Sequence, residues 1–241
     1  MRYLGGKSRA VPFLRPIITG AGRTRYIEPF VGGGSVLSAV ASSFSVVEAG
    51  DAHAGLVALW NAVLAGWVPP DVVTPDEYAA LRSEVGDSAA RAYAGFACSF
   101  GGKYFGGFAR KSDGSPDQSS SRASLLRKAE AIRPVISELR CASYTAYRPA
   151  NDSVVYCDPP YITAATYSTG VWRPYEFWDK ARAWAADGAL VLVSEFQAPS
   201  DFVVLAETTR VVSVARTSQR RERAAERVFV HASQRAAFKG N

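Results

Sequence analysis

Arg25-Tyr26-Ile27-Glu28-Pro29-Phe30, followed by Val31-Gly32-Gly33-Gly34-Ser35, reads as a strand running into a glycine turn. Outward from it, Ser35 to Val40 reads as a helix and Ser45 to Asp51 as a second strand ending in a carboxylate. Leu56 to Leu64 follows as a helix carrying Val57, Leu59, Trp60 and Leu64. Strand, glycine turn, helix, strand, acid is the order of a nucleotide-binding α/β unit. Glycines suit a turn whose backbone takes positive φ or closely approaches a ligand. No Gly-Lys-Ser/Thr follows Gly34, so this is not that type of phosphate loop, and it does not complete the dinucleotide fingerprint. Asp51, about 20 residues beyond the turn, can accept two hydrogen bonds from ribose hydroxyls. Its alternative role is to cap a helix beginning at Ala52.

Further on, the apolar run Val154-Val155-Tyr156-Cys157 reads as a buried strand and ends in Asp158-Pro159-Pro160-Tyr161. Neither proline has a backbone N–H, so this edge offers acceptors and almost no donors. Asp158 adds a carboxylate and Tyr161 an aromatic face. Together they form a mould for an exocyclic –NH2 on a planar base, the chemistry of amino-group methylation of nucleic acid. The exocyclic amino nitrogen of such a base is a poor nucleophile because its lone pair is delocalised into the ring. Hydrogen bonds to Asp158 and to the Pro159 carbonyl localise that pair, alignment does most of the rest, and Asp158 stabilises the positive charge that develops on nitrogen. Tyr161 stacks on the base, which is reachable only when flipped out of a duplex.

These residues carry a resemblance. The chain is similar to the Dam-like family of adenine-specific (N6) DNA methyltransferases, in which a DPPY motif binds the target adenine and S-adenosylmethionine donates the methyl group. Tyr3-Leu4-Gly5-Gly6-Lys7 resembles that family's N-terminal cofactor motif, Glu28 to Ser35 its glycine loop, and Asp51-Ala52-His53 its acidic strand end. Glycine loop, recognition region, then DPPY resembles the alpha-group order. The resemblance implies a doubly wound, Rossmann-like α/β fold with an inserted, mainly helical DNA-recognition region. It also implies that Tyr3, Lys7, Glu28, Phe30, Gly32, Gly34, Asp51 and Asp158 face S-adenosylmethionine, and that Asp158, Pro159, Pro160 and Tyr161 are catalytic. Lys7 would meet a carboxylate, including that of the cofactor's methionine part; a surface lysine is its alternative. Glu28 could equally cap local backbone, and Phe30 could simply fill core. The chain departs from the resemblance at Ser194-Glu195, where relatives often carry Ser-Asn, so Glu195 would reshape the base pocket.

At 241 residues, with 48% hydrophobic and 21% charged residues, the chain is one large domain, or one domain with a modest insertion. The expected catalytic domain is 1–66 with 126–241, and the inserted target-recognition region is 67–125. A net charge of +6 fits a polyanionic partner, here double-stranded DNA, without proving one. Within the insertion, Phe100, Tyr104, Phe105 and Phe108 interleave with glycines and with Lys103, Arg110 and Lys111. That stretch reads equally as DNA contact and as a small local core. Arg216, Arg220, Arg221 and Arg223 fall in the connection of an expected final hairpin, Val211–Val214 with Arg227–His231, and suit phosphates; a solvated turn softened by Glu222 is the alternative. Asp76 to Val85, Ser124 to Leu139 and Tyr175 to Ala186 read as helices, and Leu190 to Glu195 as a buried strand.

Cys98, Cys141 and Cys157 lack metal-ligand spacing and read as reduced thiols in a cytoplasmic protein. His53 and His231 have no third ligand by spacing, so no metal is expected. No apolar run is long enough to span a membrane. Methylation of a cytosine amino group or of RNA, and a catalytically silent DNA-binding relative, stay open as alternatives. A monomer is compatible with the sequence. The small size suits a solitary or phage-borne enzyme and does not exclude a restriction-modification setting.

Overall fold

The computed structural model describes residues 1–136, 138–160, 172–213 and 221–238. Its centre is a seven-stranded sheet. In chain order the strands are β1 (Arg25–Glu28), β2 (Val46–Asp51), β3 (Arg140–Cys141), β4 (Ser153–Cys157), β5 (Leu190–Glu195), β6 (Phe202–Ser213) and β7 (Arg221–His231). Their spatial order is β3-β2-β1-β4-β5-β7-β6. The first five are mutually parallel, and β7 runs antiparallel between β5 and β6. This is the Rossmann-like methyltransferase arrangement expected from the sequence.

Alternation along the strands explains why both faces are covered. Tyr26, Val154, Tyr156, Leu190 and Leu192 point into one core. Ile27, Val155, Cys157, Val191 and Val193 point into another. Strands buried on both faces read as continuous apolar runs, as β4 and β5 do. The first core is closed by α1 (Val11–Thr19), α2 (Leu37–Val40), α3 (Ala54–Leu64), α5 (Ala89–Ala97) and α6 (Ser119–Ile132), with α4 (Pro75–Ser83) packed on α5. The second is closed by α7 (Pro174–Ala186), through Phe177, Trp178, Ala181 and Trp184.

The strand order reverses at β1, which has β2 on one side and β4 on the other. Connections leave in opposite directions there, so a crevice opens beyond the carboxyl ends of β1 and β4. Glu28 and the glycine turn end β1, and Asp158 follows β4. The fold therefore brings the glycine turn and the Asp158-Pro159-Pro160 segment to one place.

The structure corrects some of the expected elements. The helix expected over Ser124–Leu139 is α6, Ser119–Ile132. Pro134 lacks the N–H that would have reached the Glu130 carbonyl, so the ladder stops. Beyond it, the Asn61 side chain brackets Leu139, donating to its carbonyl at 3.0 Å and accepting from its N–H at 2.7 Å. The expected short hairpin is a long one: β6 and β7 pair from Phe202↔His231 to Ser213↔Arg221, with a shift between Val204 and Ala206. Arg221 and Arg223 therefore belong to the strand β7 and not to a connection, whereas Arg216 and Arg220 lie outside the described residues. The sequence pattern also hides α5, rich in alanine and carrying a glycine, and the two-residue β3.

Candidate active site

The glycine turn is held from three sides. The Val31 N–H donates to the Gly50 carbonyl at 3.0 Å, tying the turn to β2, and Gly34 N–H closes back on Val31 O at 2.8 Å. Gly32 and Gly34 have φ of +49° and +63°. A Cβ on Gly34 would lie 2.5 Å from the Trp60 ring, and one on Gly32 would lie 2.8 Å from the Tyr3 ring. Trp60 Nε1 donates to Gly32 O at 3.0 Å, so α3 braces the turn from below.

Asp51 clamps the same turn. One carboxylate oxygen accepts from Gly32 N–H and the other from His53 N–H, both at 3.0 Å. Burial pushes its carboxyl above the usual range, and these backbone N–H groups oppose that shift. The helix cap is a different residue: His53 Nδ1 accepts from Leu56 N–H at 3.1 Å at the start of α3.

Around this turn lies a cavity of about 460 Å³, a size suited to a small-molecule ligand. Tyr3, Lys7, Glu28, Phe30, Gly32 and Asp51 line it from the N-terminal half, and Asp158, Pro159 and Pro160 from the end of β4. Gly34 sits under the turn against Trp60. Phe30 is half-buried, stacked with Tyr144 at 5.6 Å between ring centres and edge-on to Phe177 at 5.8 Å. Tyr144 and its neighbours Ser143 and Thr145 also line the cavity. Reading the sequence does not find these three, which follow β3 with no motif to mark them.

Buried carboxylates crowd the cavity at the end of β4. Glu28 is buried, accepts from Tyr26 Oη at 2.5 Å, and has its carboxyl pushed up to about 8 by burial, with Asp158 nearby adding to the rise. Glu195, buried at the end of β5, is pushed up to about 7, first by burial, while the Phe196 N–H at 3.0 Å works against the rise. Lys7 is 3% exposed and its Nζ lies 2.8 Å from Asp158 Oδ1 and 3.4 Å from Glu226 Oε1. Burial and the neighbouring carboxylates also hold the Cys157 thiol well above its usual range.

The expected DNA-facing residues divide. Lys103, Arg110 and Lys111 are exposed. Arg110 lies over the Phe108 ring, 5.1 Å from its centre, and donates to Gly114 O at 3.1 Å. Tyr104 is half-buried among His53, Phe96 and Phe105 and accepts from Arg91 at 2.6 Å. Phe105 and Phe108 pack on Tyr78, whereas Phe100 is 60% exposed beside Gly101, whose φ is +64°. Tyr161 lies outside the described residues. Among the described residues no group of three metal-ligating side chains converges, and no helix is long and apolar enough to cross a membrane.

Residues 3–84 match the family model of D12 class N6 adenine-specific DNA methyltransferases. The matched third of the chain contains Tyr3–Lys7, the glycine turn and Asp51. It agrees with the resemblance drawn from the sequence, and with it the expected enzyme class, an adenine-specific DNA methyltransferase, is borne out. No curated protein matches the chain.

Proposed function

We propose that the protein transfers a methyl group from S-adenosylmethionine to the amino group of an adenine flipped out of double-stranded DNA, giving N6-methyladenine. The observation that carries this reading is the convergence of the glycine turn after β1 and Asp158-Pro159-Pro160 after β4 on one cavity. The residues fit the cofactor by their chemistry. Gly32 and Gly33 let Tyr3 pack directly on the turn beside the cavity, Asp51 and Glu28 supply acceptors for hydroxyl and amino groups, and Phe30 with Tyr144 offers flat apolar walls. When bound, S-adenosylmethionine supplies a methyl on a sulfonium, already activated toward a nucleophile.

The chain's own work is on the amino group. Asp158 and the Pro159 carbonyl accept its two hydrogens, which favours a localised lone pair on nitrogen. The same carboxylate stabilises the positive charge that nitrogen gains, and the nitrogen then releases one of its two protons to give the neutral N6-methylated base. The two prolines withhold donors that would compete for that lone pair. Tyr161 is assigned the stacking face on the strength of the DPPY resemblance. Region 67–125, with its exposed Phe100, Lys103, Arg110 and Lys111, is assigned target recognition, and Arg216, Arg220, Arg221 and Arg223 are assigned phosphate contacts.

The test is label transfer from methyl-labelled S-adenosylmethionine to duplex DNA by the wild-type protein and by Asp158→Ala. The expected result is labelled DNA with the wild type and at least a thousandfold less with the variant, which still binds the cofactor. Equal labelling by both would remove Asp158 from the chemistry.

A further inference from the structure

Four buried or half-buried carboxylates crowd the end of β4: Asp158 itself, Glu28 on β1, Glu195 on β5 and Glu226 on β7. Glu226 is 4% exposed and belongs to a strand that carries no motif. Among the described residues, the Lys7 ammonium stands between two of them. Lys7 reaches in from the segment before α1, where Gly5 takes a φ of +78° and Gly6 N–H turns back on Tyr3 O at 3.0 Å. Its Nζ contacts Asp158 and Glu226 and is itself buried.

We propose that Lys7 is a positioning residue that fixes the Asp158 carboxylate and keeps it ionised, and that Glu226 holds Lys7 in place for this. Physically, the site must deny protons to one carboxylate among four. An ammonium at 2.8 Å favours the charged form of the group it touches. Glu28 and Glu195, which Lys7 does not touch, are pushed up to about 8 and about 7, burial being the largest cause in each, with Lys128 and Lys7 respectively opposing the rise only at longer range. Environments that drive neighbouring titratable groups apart are how one carboxylate is kept for one task. Among the described residues, Lys7 contacts Asp158, while Cys157, Glu28 and Glu195 feel the Asp158 charge and Glu226 stands behind Lys7. Beyond them, Lys128 on α6 acts on Glu28, and Arg227 on β7 is engaged with Glu207 at 2.6 Å and with Phe196 O. In this arrangement Lys7 serves the base pocket, and the carboxylate of a bound cofactor is not its partner.

The inference rests on the proposed methyl transfer, and wild-type turnover is the control. If the wild type labels no DNA, that reading fails; if the wild type is active and only the Lys7 variants depart from expectation, this one fails. The experiment measures cofactor affinity by calorimetry, and the pH dependence of kcat/KM for DNA, in Lys7→Met, Lys7→Arg and the charge-balanced pair Lys7→Met with Glu226→Gln. Expected for Lys7→Met and for the pair are cofactor affinity within about threefold of wild type, kcat lower by tenfold or more, and an acidic limb moved up by about one pH unit. Lys7→Arg should return the limb toward its wild-type position. If Lys7→Met leaves too little folded protein, the pair, which removes one charge of each sign, decides. Cofactor affinity lost by tenfold or more, with kcat at saturation and the acidic limb unchanged, would overturn the proposal and make Lys7 a cofactor ligand.

Discussion

Glu28 shows how a single buried carboxyl makes stability depend on pH. Its folded-state value, about 8, lies above the ordinary value near 4.5. Between those limits the folded chain holds a proton that the unfolded chain has released, so this group's contribution to stability falls as pH rises through that window. Met1 at the amino terminus is shifted the other way, down to about 4 by burial, and partly masks the trend in the intact protein. The difference between variants isolates it. Glu28→Gln can still accept from Tyr26 Oη. Between pH 5 and pH 8 it should gain stability relative to wild type by a few kcal/mol, about 1.4 kcal/mol for each pH unit crossed. Denaturant unfolding at the two pH values checks this; a constant difference would mean that Glu28 is ionised throughout. Asp158 is legible in the sequence because the prolines announce it. Its partner Lys7, and Glu226 that pairs with Lys7 in turn, are 151 and 68 positions away in the chain, and only the fold brings them together.

At the level of elements, the turn between β1 and α2 is the most exacting piece of backbone. Gly34 combines positive φ with a Trp60 ring 2.5 Å from where a Cβ would sit. Gly34→Ala should therefore destabilise the protein by more than about 1 kcal/mol, since both strain and collision oppose it. It should also weaken cofactor binding, because Trp60 holds Gly32 O. Thermal unfolding and calorimetry check the two effects, and a neutral Gly34→Ala would mean that the turn is looser than this geometry implies. The strands β4 and β5 are readable because strands covered on both faces form apolar runs, and β1 and β2 because a glycine turn and a carboxylate mark their ends. The hairpin is only partly readable because β6 and β7 carry polar residues such as Glu207, Thr208 and Thr209 through their length, so apolar runs mark only part of them. The sequence pattern overextends α6 because Val135, Ile136 and Leu139 keep an apolar spacing past Pro134, and the spacing does not register the missing N–H.

Over the whole molecule, the net charge of +6 is a long-range asset for meeting a polyanion and says little about where the contact is made. The arginines from 216 to 223 offer a way to localise it. Arg220→Ala with Arg221→Ala should weaken duplex binding and flatten the dependence of log affinity on log salt by about 2, close to 0.9 for each lost phosphate contact. An unchanged slope would return that cluster to a solvated turn. The methyltransferase architecture is legible from three short segments because the strand order reverses at β1 and the fold collects these segments in one crevice. The base is not legible in the same way, since a pocket of acceptors accommodates the amino group of adenine and that of cytosine alike.

Methyl transfer to adenine is tested most directly by nucleoside mass spectrometry of duplex DNA of varied sequence, incubated with the protein and S-adenosylmethionine. The expected product is N6-methyladenine. N4-methylcytosine, or no methylated nucleoside from a protein shown to bind the cofactor, would contradict the proposed reaction.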